Sequence, residues 1–436
     1  MRYEDIIEWL HRLWFKVETT PAVRQFVHHF SWVFAGVVIS KVFILLINII
    51  GGRVLGPAEF GRYNVIYSIG LLMVFPLLMG TNTALVKFLA PQHERRKILP
   101  YFGASLFIFM VSSIVFILLY LVLIAIRPDL MTDRLLYYLA IIFAVALGLY
   151  YFSEGLLQGL GSLKRLSVYE ALVALVSLVA FLVLLRPLNS FFAFYLSAML
   201  GFVLFAALTF MRHRQLLQEV KVSMRMTREV LHYGVFAMLV ALAATVLGNT
   251  DKILIYRFLG ETKVGIYQAY SMGSLILISI LTNIFIMVFF PTAARYPDKR
   301  PILKRLDRLI LPAGVLISLG IPFAQFIMLK FFGPQYFINP WLMVAFAVAS
   351  AIYFANLAYL WLMSSTGVQG IKTASITLIV AAVVNILLCY YLIPRKDLFG
   401  VILSLIISSL IPLIYLRLRL PGELERHFEE DARETG

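Results

Sequence analysis

The chain has 436 residues, 61% of them hydrophobic and only 14% charged, with a formal net charge of +15. Soluble chains of this length carry roughly a quarter charged residues, so the composition excludes a cytosolic enzyme and a disordered tail protein, and one cysteine excludes a disulfide scaffold. So apolar a chain needs a lipid solvent first, and the placement of its positive charge decides what that charge means.

Residues 1–30 mix acids and bases ahead of the first long apolar run, unlike a signal peptide. Ile6, Leu10, Leu13 and Val17 share one helical face until Pro21 ends the pattern. The segment reads as an amphipathic helix lying at the cytoplasmic interface, or as a partly ordered leader. About twelve apolar runs follow, near 31–55, 63–90, 99–126, 135–160, 167–186, 189–211, 234–258, 265–291, 307–332, 338–364, 372–394 and 398–418. Each approaches or exceeds the ~20 residues a helix needs to cross a bilayer, and barrel strands are only about half as long. Pro76, Gly80, Pro312 and Pro322 fall inside runs, where neighbouring helices can satisfy the freed backbone. The expected fold is an all-α polytopic membrane protein: a first bundle of six helices over 31–211, a basic linker over 212–233, a second bundle over 234–418, and a tail over 419–436.

Assigning alternate loops to opposite faces places 25 of the 38 basic residues on the face of the termini, 10 on the other, and Lys41, Lys87 and Lys252 within runs. By the positive-inside rule both termini are cytoplasmic, in the cytoplasmic (inner) membrane. Acids sort as 15 inside, 5 outside, and Glu154, Glu170 and Asp251 within runs, so the runs carry no net charge. The surplus is a topology signal, and no nucleic-acid partner is expected.

The halves share a motif. Residues 53–63 read RVLGPAEFGRY and 257–267 read RFLGETKVGIY. Arg53, Leu55, Gly56, Gly61 and Tyr63 thus recur as Arg257, Leu259, Gly260, Gly265 and Tyr267, with a weaker echo in Gly161 and Gly367. Both copies join the first and second runs of their half on the outer side. That predicts a parallel duplication about an axis along the membrane normal, with a cavity between halves. Gly56-Pro57 ends a helix, Gly61 permits close approach, and Tyr63 suits the interfacial aromatic belt.

The first copy, followed by Gly80-x-x-x-Ala84-Leu85, resembles the opening of the polysaccharide-biosynthesis flippases. These belong to the multidrug/oligosaccharidyl-lipid/polysaccharide exporter superfamily. Asn249-Thr250-Asp251-Lys252, Leu259-Gly260, Gly265-x-Tyr267, Phe290-Pro291 and Leu392-Ile393-Pro394-x-x-Asp397-x-x-Gly400 carry the resemblance further, across roughly 30–418. It implies two six-helix bundles with alternating access to a central cavity, and export of a polyprenyl-linked oligosaccharide. The second loop departs from the first, with Glu261-Thr262-Lys263 in place of Pro57-Ala58-Glu59, so equal roles are not expected.

No enzymatic motif competes. HExxH, GxSxG and a Gly-Lys phosphate loop are missing, Gly159-Leu160-Gly161 lacks the third glycine of a dinucleotide fingerprint, and Cys389 reads as packing. No catalysis, cofactor or metal is expected. The candidates are ionisable groups at membrane depth, which are costly unless partnered. Lys41 falls near the midplane, with Asn48 seven residues on, and Thr245, Asn249 and Lys252 form one polar stripe. For a lipid-linked cargo, Lys41 and Lys252 would contact its (pyro)phosphate, Asn48 and Asn249 would line the path, and Arg53 and Arg257 would guide the anion at the outer mouth. Pairing with acids, Asp251 for Lys252, and snorkelling of the arginines are the structural alternatives. Lys87, Glu154 and Glu170 read as an ion-pair cluster. Asn283, Gln325, Asn356 and Asn385 would bond between helices or to sugar hydroxyls.

Three functions remain. The first is a flippase whose partners are a lipid-linked oligosaccharide, the bilayer, and a glycan polymerase or glycosyltransferases of the same pathway. The second is a cation-coupled drug exporter with Asp251 as its coupling carboxylate. The third, a membrane-embedded glycan polymerase or ligase, is disfavoured by short outer loops without His.

Overall fold

A computed structural model describes residues 21–92, 94–126, 133–282 and 298–435, and these are helical with short connections and no strand. The expected amphipathic segment falls mostly outside them, as do Asn283 and Phe290-Pro291.

The helices are α1 (Pro21–Leu78), α2 (Thr81–Leu89), α3 (Arg95–Ile126), α4 (Arg134–Gly159), α5 (Leu163–Leu188), α6 (Phe192–Arg212) and the short α7 (Arg214–Gln218). There follow α8 (Met224–Leu259), α9 (Glu261–Ser271), which continues through a π-turn at Met272–Ile276, α10 (Arg300–Phe332), α11 (Pro340–Ser364), α12 (Val368–Lys396) and α13 (Leu398–Thr435). Among the described residues, eleven helical stretches are long and apolar enough to cross a membrane. One of them, Gly36–Leu78, has 43 residues and breaks at Gly56 (φ 83°, ψ 173°), so it holds two of the twelve expected crossings. The run expected over 63–90 is itself interrupted, with Met79 and Gly80 at positive φ before α2.

The chain packs as two compact units. The first comprises the described parts of Met1–Gly51 and Met73–Leu239. Within it α4 packs against α2 and α6, and α5 against α6. Gly155 and Gly159, one turn apart on α4, lie where any Cβ would meet the Asn82 and Leu85 carbonyls of α2, at 2.4 and 2.5 Å. Small residues at this spacing let helix backbones touch, which drives association where lipid removes the hydrophobic incentive. Of the Gly-Leu-Gly stretch, Gly159 thus belongs to a packing seam, whereas Gly161 has nothing within 4 Å of where a Cβ would lie. Met110, Ile114, Leu118 and Val122 on α3 form an exposed apolar stripe suited to lipid.

The second unit comprises Gly52–Leu72 and the described parts of Val240–Gly436. Here α12 packs on α13, α11 on α10 and α13, and α9 against α10 and α11. α9 is the enclosed element: 67% of the most apolar window of Glu261–Thr282 is buried, against 11% for Arg300–Phe332. Polar groups at depth bond between helices. Asn356 donates to the Ser409 carbonyl at 2.7 Å, Asn385 to Ser408 Oγ at 3.2 Å, and Gln325 to the Tyr270 carbonyl at 3.2 Å.

Candidate functional site

The duplicated motif is written into the backbone. Gly260 adopts φ 82°, ψ 174°, the geometry of Gly56. That region is essentially restricted to glycine, and both residues turn the chain from one crossing into the next. Gly161 and Gly367, the weaker echo, also have positive φ. Inside the second unit the two copies meet. A Cβ on Gly61 would lie 1.8 Å from the Glu261 carbonyl oxygen, and one on Gly265 would lie 2.0 Å from that of Pro57. Each glycine therefore faces the first residue after its counterpart's turn, a reciprocal crossing with no room for a methyl group. Arg62 holds the crossing from outside, with Nη1 at 2.9 Å from Glu59 and Nη2 at 3.3 Å from Glu261.

In the first unit, Lys41 is exposed on α1. It has no direct hydrogen bond or ion pair among the described residues, and its field acts on Glu154 of α4 and Glu170 of α5. Glu170 accepts from the Tyr150 hydroxyl at 3.2 Å and Glu154 from Gln158 at 2.9 Å. The cation serving the two acids is thus Lys41. Lys87, expected in that cluster, instead stands 3.9 Å over the Tyr233 ring and 5.4 Å over Phe88. A ring face satisfies a cation without an acid, which run positions alone do not reveal. Asn48 is buried and spends its amide on the Ile44 carbonyl at 2.7 Å.

In the second unit, α8 brings Asn249, Asp251 and Lys252 together. Lys252 is buried and donates to Asn249 Oδ1 at 3.1 Å and to the Gly248 carbonyl at 3.5 Å. Asn249 donates to the Thr245 carbonyl at 3.2 Å. Asp251 is buried too, accepting from the Lys252 amide at 2.8 Å and from the Tyr267 hydroxyl. Opposite charges on adjacent residues keep this depth neutral, which lowers the cost of burial. Tyr267 is buried and ties α9 to α8 through its hydroxyl. Its recurrence in the repeat was the one sequence signal for it. Arg53 and Arg257 are both exposed at the motif end, and Arg53 reaches the Phe331 carbonyl at 3.4 Å. Lys330, Gln335 and Tyr336, beside Arg53, carried no sequence motif.

The fold and these buried polar clusters define a multi-pass, all-helical membrane protein. The model of the polysaccharide biosynthesis protein family matches residues 26–296, more than half of the chain, and the chain belongs to that family. No curated protein matches it. Among solved structures it is similar to the lipid II flippase MurJ in an inward closed conformation (14% identity, 91% of this chain and 89% of that one, TM-score 0.68). It is also similar to an inward-facing multidrug resistance MATE transporter of the MOP superfamily (13%, 88% and 96%, 0.64). A third is a MOP superfamily transporter from Pyrococcus furiosus (13%, 90% and 94%, 0.56). At these identities the likeness is one of fold.

Proposed function

We propose that the protein moves a polyprenyl-(pyro)phosphate-linked oligosaccharide from the inner to the outer leaflet by alternating access, as a step of cell-surface glycan assembly. Family membership supports a polysaccharide pathway, and the observation that carries the reading is Lys41. An exposed lysine on a crossing helix, without a direct hydrogen bond or ion pair among the described residues, is a standing cost unless an anion visits it. Glu154 and Glu170 reach that cation only through their field, and an incoming phosphate offers it direct, charge-assisted bonds. Lys252 and Asn249 of α8 contact the same anion, and Arg53 and Arg257 receive it at the outer mouth. The energy comes from an ion gradient, the membrane potential or consumption of the product outside.

Lys41→Ala and Lys252→Ala are expected to abolish glycan export, measured as surface polysaccharide, while the protein stays at normal abundance in the membrane. Normal export by both variants would remove the proposed role of these lysines. A second reading, a cation-coupled exporter of small molecules, is supported by Asp251, a buried carboxylate held by Tyr267. Gradient-dependent efflux of cationic dyes that is lost in Asp251→Asn would favour it; no efflux with intact glycan export favours the flippase.

A further inference from the structure

Beside the motif end of α10 the second unit holds a cavity of about 280 Å³, lined among others by Arg53, Lys330, Gly333, Tyr336 and Phe337. Two cations share it, and neither has an acid among the described residues. Arg53 donates only to the Phe331 carbonyl, and Lys330 lies 5.4 Å over the Phe326 ring. The described acids at this end are committed elsewhere. Glu59 and Glu261 pair with Arg62, and Asp397 with Lys263.

The arginine is held in place by its backbone. Gln335 donates to the Arg53 carbonyl at 2.7 Å, and the Tyr336 hydroxyl donates to the Gly52 carbonyl at 3.0 Å. Two like charges facing one small cavity repel each other, and an anion between them turns that repulsion into attraction. The fork of a guanidinium beside an ammonium suits the several oxygens of a phosphate. The rim narrows the choice further. Phe337 and Ile338 in the lining are 44% and 39% exposed, an apolar edge that a free ion does not need and an acyl or prenyl chain does.

We propose that this cavity binds the phosphate of a membrane lipid, with the lipid's chains lying along the exposed apolar face of α10. The shared chemistry is a phosphate ester on an apolar chain, from bulk phospholipid or from a polyprenyl carrier; the site rests on the proposed function only if the carrier is what binds, and stands without it if phospholipid does. Full-length protein in neutral detergent is titrated separately with phosphatidylglycerol, a polyprenyl phosphate and inorganic phosphate, with bound ligand read by native mass spectrometry. At least one of the two lipids binds, and Arg53→Gln with Lys330→Gln weakens it about tenfold or more, as loss of two charge-assisted contacts requires. The charge-preserving pair Arg53→Lys with Lys330→Arg retains binding, and the tighter lipid identifies the source. Lys330 is exposed, so Lys330→Gln alone gives a several-fold loss even if replacing Arg53 unfolds the protein. Unchanged lipid binding in the glutamine variants overturns the proposal, as does displacement of the lipid by an equal concentration of inorganic phosphate.

Discussion

Single residues show how a mostly apolar chain meets the demands of its few polar groups. Tyr267 is the clearest case: its hydroxyl donates to Asp251 while its ring packs against Phe346 at 5.6 Å. Tyr267→Phe keeps the ring and leaves the carboxylate without its side-chain donor, an expected loss of about 1–3 kcal/mol, seen as a lower melting temperature in detergent. The lost partner was not legible in advance, because hydropathy and spacing say which residues lie at depth and not which of them touch. The same limit explains Lys87, which spacing grouped with two acids and the structure gives to Tyr233. By contrast Gln325, Asn356 and Asn385 bond between helices, an alternative open from sequence because buried amides need partners. At the end of α6, burial lowers the pKa of His213, helped by the charges of Arg165 and Arg212. Its Nε2 is buried without a hydrogen-bond partner. The folded state then binds fewer protons than the unfolded one just below pH 6.5, so stability is full above that pH and falls as the pH drops through it. Melting temperatures between pH 7.5 and 5 are expected to fall in the native protein and to flatten in His213→Gln; equal slopes would assign the pH dependence to another group.

At the scale of elements, the duplicated motif decides how crossings join. The recurrence of Gly56 and Gly260 at one offset was visible in the sequence, and the structure gives both the same glycine-only geometry. Gly56→Ala is expected to cost about 1–3 kcal/mol of backbone strain, and Gly260→Ala a similar amount, each seen as reduced thermal stability. The Gly61 and Gly265 contacts are tighter still, since a methyl group at either would fall within 2.0 Å of a carbonyl oxygen. Overpacking of this kind costs about 1–3 kcal/mol, and here it pushes two helices apart. Gly61→Val is therefore expected to raise the labelling rate of a cysteine placed at Thr262 by a membrane-impermeant maleimide. An unchanged rate would mean that the crossing is not closed in the membrane. The sequence showed that these glycines repeat, but their reciprocity needs three dimensions: each meets the residue after the other's turn.

For the whole molecule, run lengths and the charge bias of the loops were enough to read an all-helical membrane protein, because a bilayer imposes both. What hydropathy does not encode is the grouping of helices. Residues 52–72 continue α1 without a gap in the chain, yet they pack in the second unit through Gly52, Phe60 and Gly61. Lys41 was legible as a functional candidate because a lysine at membrane depth needs a reason, whereas Glu154 and Glu170 became its partners only once α4 and α5 were folded beside α1. The account as a whole rests on one act, passage of a phosphate-linked sugar across the bilayer. It is tested most directly in proteoliposomes loaded with a polyprenyl-pyrophosphate-linked oligosaccharide, by following how much of the glycan becomes accessible to an external glycosidase. The account predicts that native protein exposes the protected fraction and that Lys41→Ala, inserted equally well, leaves it protected. Exposure at the same rate in protein-free vesicles and in both proteins would contradict it.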